Sequence, residues 1–362
     1  MHILQITPRY LPNLGGAEIV VQKTSEGLAS HGLSVTVYSS DLNNRVPQEQ
    51  RINGVLVKRF APLISDPLYC PEPRFLASMR QEEAEILHVH NLHILIPFLV
   101  ALTKRQGQKI VLQPHYHRFG QSSTRETLLS LYKQVSRHFT LPHSHIIIAN
   151  SEYEKRILNE DFSRPRNIVL IPEGLDLSEI ERVRYEPVKP KRILYIGVLK
   201  NYKNVDKLMA GFAWLRANQK LDVRLIIVGD GPQRDYLLSC AEKLGISSLV
   251  EWKSALSRDM ILAEYAKASV FTLLSQLESF SRVVYEALLI GVPTVVPSDG
   301  PFEHLVRECC VEGTPSLEAE QIGKTMLKAM TKTYPKPGGD YYLDWTEYCR
   351  RIIAVYERAV EK

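Results

Sequence analysis

Short apolar runs alternate along this chain with stretches whose apolar residues recur every three or four positions. That alternation is expected of βα units built on parallel sheets. Ile3 to Thr7 reads as a buried strand and Pro8 to Gly16 as a loop. Ala17, Val20, Val21, Thr24 and Leu28 then fall on one face of a helix that Gly32 caps, and Leu33 to Tyr38 returns as a second strand. Further strands are expected at Ile86–Val89, Lys109–Gln113, Ile146–Ala149 and Ile168–Ile171, with Ser151 and Glu154 spaced as a capping box.

The polar run 185–191, Tyr-Glu-Pro-Val-Lys-Pro-Lys, has the composition of a linker, and the pattern restarts after it. A strand at Arg192–Ile196, a helix at Val205–Ala217 and a strand at Arg224–Val228 are followed by strands at Leu249–Trp252, Ser269–Leu273 and Pro293–Val296. The reading is therefore two doubly wound α/β domains, residues 1–187 and 188–343, with a ligand cleft expected at the C-terminal strand ends. Near the end of the chain Trp345, Tyr348, Cys349, Ile352, Ile353 and Tyr356 form one apolar helical stripe. Spacing alone does not choose which domain that helix packs on.

Composition narrows the class. A length of 362 residues suits two domains, and 45 Lys and Arg against 40 Asp and Glu leave a charge of +5, too small to mark a nucleic-acid binder. Cys70, Cys240, Cys309, Cys310 and Cys349 form no Cys-x-x-Cys pair and read as the reduced thiols of a cytoplasmic protein. The longest apolar stretch, Leu92 to Leu102, carries His93 and Pro97 and falls short of the roughly 18 residues that span a bilayer. Neither a membrane span nor a signal peptide is expected.

The candidate chemistry concentrates in Ser275–Pro293. Glu278 precedes a helix that begins near Ser281, and Glu286 lies one turn inside it. Free N–H groups at that helix start suit a phosphate, and the two carboxylates would read hydroxyl groups on either side of it. On spacing alone, a solvated Glu278 and a Glu286 paired in the first turn explain the pattern equally well. His88, His90 and His93 surround one strand end, and His115 and His117 follow the next strand. The His-x-His alternation invites a metal, but no Cys or acid stands nearby and no Asp-x-Asp occurs, so none is expected. Residues 101–145 carry seven Lys or Arg and one acid, Glu126, with Leu128, Tyr132, Val135 and Phe139 at helical spacing. This is either a basic amphipathic helix for an anionic membrane or lipid acceptor, or an ordinary helix with its stripe in the core.

The spacing Glu278-x7-Glu286, within the run Val198 to Pro297, resembles the second domain of the retaining glycosyltransferases of family four. Gly15-Gly16-Ala-Glu18, Ile171-Pro-Glu-Gly-Leu-Asp176, Val228-Gly-Asp-Gly-Pro232 and Gly291-Val-Pro-Thr-Val295 resemble that family's motifs in the same order. The resemblance implies the GT-B architecture: two facing Rossmann-like doubly wound domains, with the C-terminal helix 344–362 crossing back to the first. It also implies a hexosyltransferase that needs neither metal nor cofactor and takes a nucleotide sugar, such as a UDP- or GDP-sugar, as donor. The acceptor would be a glycan or a lipid-linked hydroxyl, in the cytoplasm or at the cytoplasmic membrane face. Retention would follow because the leaving phosphate helps to deprotonate the acceptor on the same face of the sugar, so no protein nucleophile is required.

Carried over by position, Glu286 would hydrogen-bond the donor ribose and Glu278 the transferred sugar. Backbone N–H groups of Phe280, Ser281, Arg282 and Val283 would hold the sugar and diphosphate. Gly15 and Gly16 would let the backbone approach the phosphates, and His115 would contact the transferred sugar. Lys203 matches a lysine that clamps the diphosphate, but Val198 stands where the family usually has arginine; Arg282 and Lys200 are the candidates to replace it. Ser279 and Ser281 replace glycines often found beside the first glutamate. Two alternatives share the architecture: a nucleotide-sugar epimerase, and a sugar-nucleotide-binding protein that has lost turnover. A nicotinamide oxidoreductase is disfavoured, since no G-x-G-x-x-G follows the first strand.

Overall fold

The computed structural model describes residues 1–12, 15–43, 45–65, 68–120 and 130–361. The chain divides into two compact units, residues 1–175 with 342–362, and residues 176–341. The division falls before the expected linker. Residues 185–191 belong to the second unit, where the Glu186 N–H donates to the Ala266 carbonyl at 2.9 Å and the Val188 N–H to that of Lys267 at 3.3 Å. Polar, proline-bearing sequence marks an exposed segment, and a segment fastened to a domain surface shares that composition with a linker.

The first unit is built on eight strands in the order Ile168–Leu170, Ile146–Ala149, Lys109–Gln113, Ile86–His90, His2–Thr7, Ser34–Ser39, Val55–Arg59, Glu49–Ile52. All neighbours are parallel except the last pair. The buried strands are nearly continuous apolar runs, as helices on both faces of a parallel sheet require. The antiparallel edge adds to the expected strands: Asn53 and Gly54 turn the chain at φ 48° and 84°, the left-handed pair that a two-residue hairpin demands.

The terminal helix, Trp345–Glu361, belongs to this first unit. Tyr348, Cys349, Ile352, Val355 and Tyr356 share a core with Val20, Val21 and Leu28 of the helix Gly16–Ser30. Gly27 permits the contact, because a Cβ there would lie 2.4 Å from Cys349 Sγ. The packing that helical spacing left open is thus decided by a close helix–helix approach.

The second unit has six parallel strands in the order Val250–Lys253, Val223–Val228, Lys191–Ile196, Val270–Thr272, Thr294–Pro297, Glu312–Thr314. Its first strand, Lys191–Ile196, is flanked by the second and the fourth, so the winding reverses between Lys191–Ile196 and Val270–Thr272. Loops leaving such a reversal diverge, and ligands of open α/β sheets bind there. At the same sheet end Gly229 lies against the backbone of Gly197, whose carbonyl oxygen would be 2.0 Å from any Cβ at Gly229. Side-chain-free backbone at both positions lets the two strand-end loops stack.

Candidate functional site

The two loops at the reversal carry the predicted residues. After Ile196 the chain runs through Val198 to a single turn at Asn201–Lys203, and Asn204 Nδ2 donates to the Leu274 carbonyl at 2.9 Å. That bond fastens the first loop to the second, which leaves the strand Val270–Thr272 and carries Glu278. Lys203 Nζ consequently pairs with Glu278 Oε1, with both side chains largely buried. Burial pulls the Lys203 pKa down, but the neighbouring carboxylate outweighs it and the net shift is upward, so the ammonium stays charged. Val198 is 38% exposed and offers no cation where the family usually has arginine.

The helix Arg282–Ile290 starts immediately beyond. Phe280 is buried and stacks on Tyr285, ring centroids 4.5 Å apart, which fixes the backbone leading into the helix. Ser281 sits at φ 76°, a left-handed conformation that costs a residue with a side chain about 1 kcal/mol or more. Its Oγ is buried and has no hydrogen-bond partner among the described residues. The glycine often found in this stretch would avoid both costs.

Glu286 is 8% exposed and accepts from Arg258 Nη1 at 2.8 Å. Burial raises its pKa, against the opposing charges of Arg258 and Arg282. Arg258 also donates through Nε to Glu179 Oε2 at 3.0 Å, so one guanidinium is held between two carboxylates. Sequence reading missed Arg258. A signal existed: Arg258 and Arg282 each open a helix, the end where the helix dipole disfavours a cation, so each needs an acidic partner or ligand.

In the first unit the predicted residues sit in a different environment. His115, at φ 45° and 8% exposed, follows the strand Lys109–Gln113. Asn150 Nδ2 lies 3.1 Å from His115 Nδ1, and His115 Nε2 lies 3.4 Å from His90 Nδ1. His90 Nε2 reaches Gln5 Oε1 at 2.7 Å, Gln5 Nε2 donates to the Tyr356 hydroxyl at 3.1 Å, and that hydroxyl meets His88 Nδ1 at 2.7 Å. One set of proton positions fits the series: the imidazoles are neutral, His115 and His90 donate through Nε2 and accept through Nδ1, and His88 accepts through Nδ1 while its buried Nε2 has no hydrogen-bond partner among the described residues. Burial enforces neutrality, holding His115 near a pKa of about 4 and His88 near about 3, with His90 well below its ordinary value. Glu173 Oε1 is 3.7 Å from His115 Nδ1. Of the histidines that suggested a metal, His88, His90 and His115 are engaged with Tyr356, Gln5 and Asn150. Among the described residues no group of three or more His, Cys, Asp or Glu is arranged to hold a metal ion. His117 stands apart, its N–H donating to His93 Nε2 at 3.1 Å.

Gly15 and Gly16 open the first helix. Gly15 is extended at φ −144°, and the room it leaves is taken by the Glu18 carboxylate, which pairs with Arg9 at 2.8 Å. A Cβ on Gly16 would meet nothing within 4 Å. Neither has positive φ, so the turn itself does not demand glycine. At the expected capping box Ser151 Oγ accepts from the Glu154 N–H at 3.1 Å, and the Glu154 carboxylate takes the N–H groups of Asn150 and Tyr116. Full burial raises its pKa to about 8, and it braces the loop that carries His115.

The basic segment is tied into this unit. Arg118 pairs with Glu160 and with Asp161 at 3.1 Å, Lys133 with Asp161 at 3.4 Å, and Arg137 Nη2 donates to the Asp161 carbonyl at 2.7 Å. Phe139 packs on Phe98 and on the core. Phe119 and Leu131 remain exposed, while Arg125, Glu126 and Leu128 lie outside the described residues. Among the described residues no helix is long and apolar enough to cross a membrane.

Residues 178–333 match the family model of the group 1 glycosyl transferases, and residues 14–179 that of glycosyltransferase family 4. An uncharacterized glycosyltransferase of Methanocaldococcus jannaschii, MJ1607, is 26% identical over 328 residues, covering 85% of this chain and 83% of that one. A GDP-mannose-dependent alpha-mannosyltransferase of Mycolicibacterium smegmatis is 25% identical over 324 residues, with 85% and 83% covered. The solved structure of Anabaena Alr3699/HepE in complex with UDP-glucose superposes with a TM-score of 0.75 at 18% identity, covering 99% of this chain and all of the other. Together the two family models run from residue 14 to residue 333, across both doubly wound units, and the chain is a GT-B glycosyltransferase of family four.

Proposed function

We propose that the protein transfers a hexose, with retention and without a metal, from a nucleoside-diphosphate sugar to a hydroxyl of a glycan or lipid-linked acceptor. One observation carries this reading: at the sheet reversal of the second unit Lys203 pairs with Glu278, and just beyond Glu278 starts the helix Arg282–Ile290, which carries Glu286 paired with Arg258. Glu286 receives the ribose hydroxyls and Glu278 those of the transferred sugar. The N–H groups of Phe280, Ser281, Arg282 and Val283 meet the sugar and the diphosphate, and the unpartnered Ser281 hydroxyl adds a donor there. Lys203 and Arg282 supply the charge that Val198 withholds, stabilising the leaving diphosphate.

In the first unit, Gly16 leaves room for backbone to approach a phosphate, with Gly15 beside it. His115 gives up its long bond to His90 to meet the transferred sugar. The leaving phosphate takes the acceptor proton, and the sequence offers no obvious protein nucleophile to compete. The names of the relatives support a UDP- or GDP-linked donor. Exposed Phe119 and Leu131 support a peripheral contact with a membrane that presents the acceptor, and Phe119→Glu with Leu131→Glu would then reduce vesicle binding.

The test is a panel of nucleotide sugars scored for nucleoside diphosphate release, with and without acceptors and with excess chelator. Acceptor-dependent release that survives the chelator, with a product of unchanged anomeric configuration, is expected. Release abolished by the chelator overturns the metal-free reading, and an inverted product overturns retention.

A further inference from the structure

We infer that Arg258 is a positioning residue for Glu286, holding that carboxylate ionised and aimed, and that through it the enzyme distinguishes ribonucleotides from deoxyribonucleotides. The inference rests on the proposed role of Glu286 toward the ribose. Its structural basis is the bridge Glu179–Arg258–Glu286, whose three members come from the helices Leu177–Ile180, Arg258–Lys267 and Arg282–Ile290.

A carboxylate as buried as Glu286 loses most of its hydration and, left alone, takes up a proton. A neutral acid accepts a sugar hydroxyl more weakly than a carboxylate does, and its own proton competes for the same geometry. The groups facing Glu286 are Arg258 and Tyr265 from one helix and Arg282 from its own. Arg258 is the one that places a charged donor on a named oxygen, Oε1, at 2.8 Å. Because Nε is simultaneously held by Glu179 at 3.0 Å, the guanidinium plane is fixed, and with it the carboxylate. A lysine cannot make both contacts from one rigid group. Ser257 secures the helix that carries Arg258 by accepting the Met260 N–H, so the arginine is presented from a capped helix start. Its position at the wrong end of the helix dipole is offset by the two carboxylates.

The experiment compares equilibrium binding of UDP, 2′-deoxy-UDP and 3′-deoxy-UDP, and of the matching guanosine set, to wild type and to Arg258 variants. A site that hydrogen-bonds a hydroxyl rejects the analogue lacking it, so wild type should prefer the ribonucleotide by about tenfold or more. Arg258→Ala should weaken the ribonucleotide to the deoxynucleotide level, leave the deoxynucleotides within about threefold, and match Glu286→Ala. Arg258→Lys should recover part of the preference. Arg258→Gln, similar in length and uncharged, carries the same expectation as alanine if the alanine variant melts early. A preference that survives in Arg258→Ala or Arg258→Gln overturns the role of Arg258 alone. A wild type indifferent to both hydroxyls overturns the ribose reading of Glu286, and this inference with it.

Discussion

The two candidate regions are built from opposite kinds of polar group. In the second unit the residues at the sheet reversal are ions locked in pairs, Lys203 with Glu278 and Arg258 with Glu286. In the first unit the hydrogen-bonded network that includes His115 is made of neutral groups, three imidazoles, Gln5, Gln113, Asn150 and two tyrosine hydroxyls, all buried, with the Glu173 carboxylate 3.7 Å from His115 Nδ1. A charged pair responds to a charged ligand by exchanging partners, which suits the diphosphate proposed for this region. A neutral network has no charge to exchange and holds shape instead, which suits the sugar contact proposed for His115. The contrast assigns binding energy mainly to the second unit and positioning mainly to the first.

The sharpest way to break that contrast is Lys203→Ala. It removes the cation and strands Glu278, and should weaken nucleoside diphosphate binding about 100-fold, roughly 3 kcal/mol, by calorimetry. Binding that survives intact would remove the charge from the account. Next, Glu278→Ala should lower transfer by about ten- to a hundredfold while nucleoside diphosphate binding holds, because its proposed partner is the sugar rather than the nucleotide. A parallel loss of both would place Glu278 on the diphosphate instead.

The neutral network makes a prediction in pH. Folded His115 and His88 have pKa values of about 4 and about 3, against about 6.5 in an unfolded chain, so the unfolded chain takes up protons first as pH falls. The stability they give is complete above pH 6.5 and is lost as pH falls through about 4, at most about 3 kcal/mol for His115. Glu154 acts in reverse, its contribution present below pH 4.5 and lost as pH rises through about 8. Melting temperatures of wild type should therefore fall between pH 6.5 and 4, and more gently in His115→Gln. Identical profiles would mean that His115 is not held neutral. The smallest effect belongs to Ser281→Gly, which relieves the left-handed strain and should raise stability by about 1 kcal/mol while lowering transfer. A destabilised glycine variant would show that the serine is not strained.

How much of this was legible depends on how far apart the interacting residues lie. Glu278 and Glu286 lie eight positions apart, and the helix that carries Glu286 was readable from spacing, as were the flanking strands, whereas the roles of the two carboxylates came only from the family resemblance. The network of the first unit joins Gln5 to Tyr356, at opposite ends of the chain, and no local pattern announces such a pair. Arg258 likewise meets Glu286 only because two helices pack beside one another, although its place at a helix start was a usable sign. Asn53-Gly54 between alternating residues was a hairpin signal within reach. Residues 185–191 misled because exposure, which composition reports, is not connectivity.

The most direct test of the division of labour is one titration series. UDP and GDP are titrated into wild type, Lys203→Ala and His115→Ala, and each protein's turnover is measured on the donor it accepts. The account predicts that Lys203→Ala loses nucleotide binding, whereas His115→Ala binds nucleotide as wild type does and turns over at least about tenfold more slowly. Nucleotide binding that depends on His115 and ignores Lys203 would contradict it.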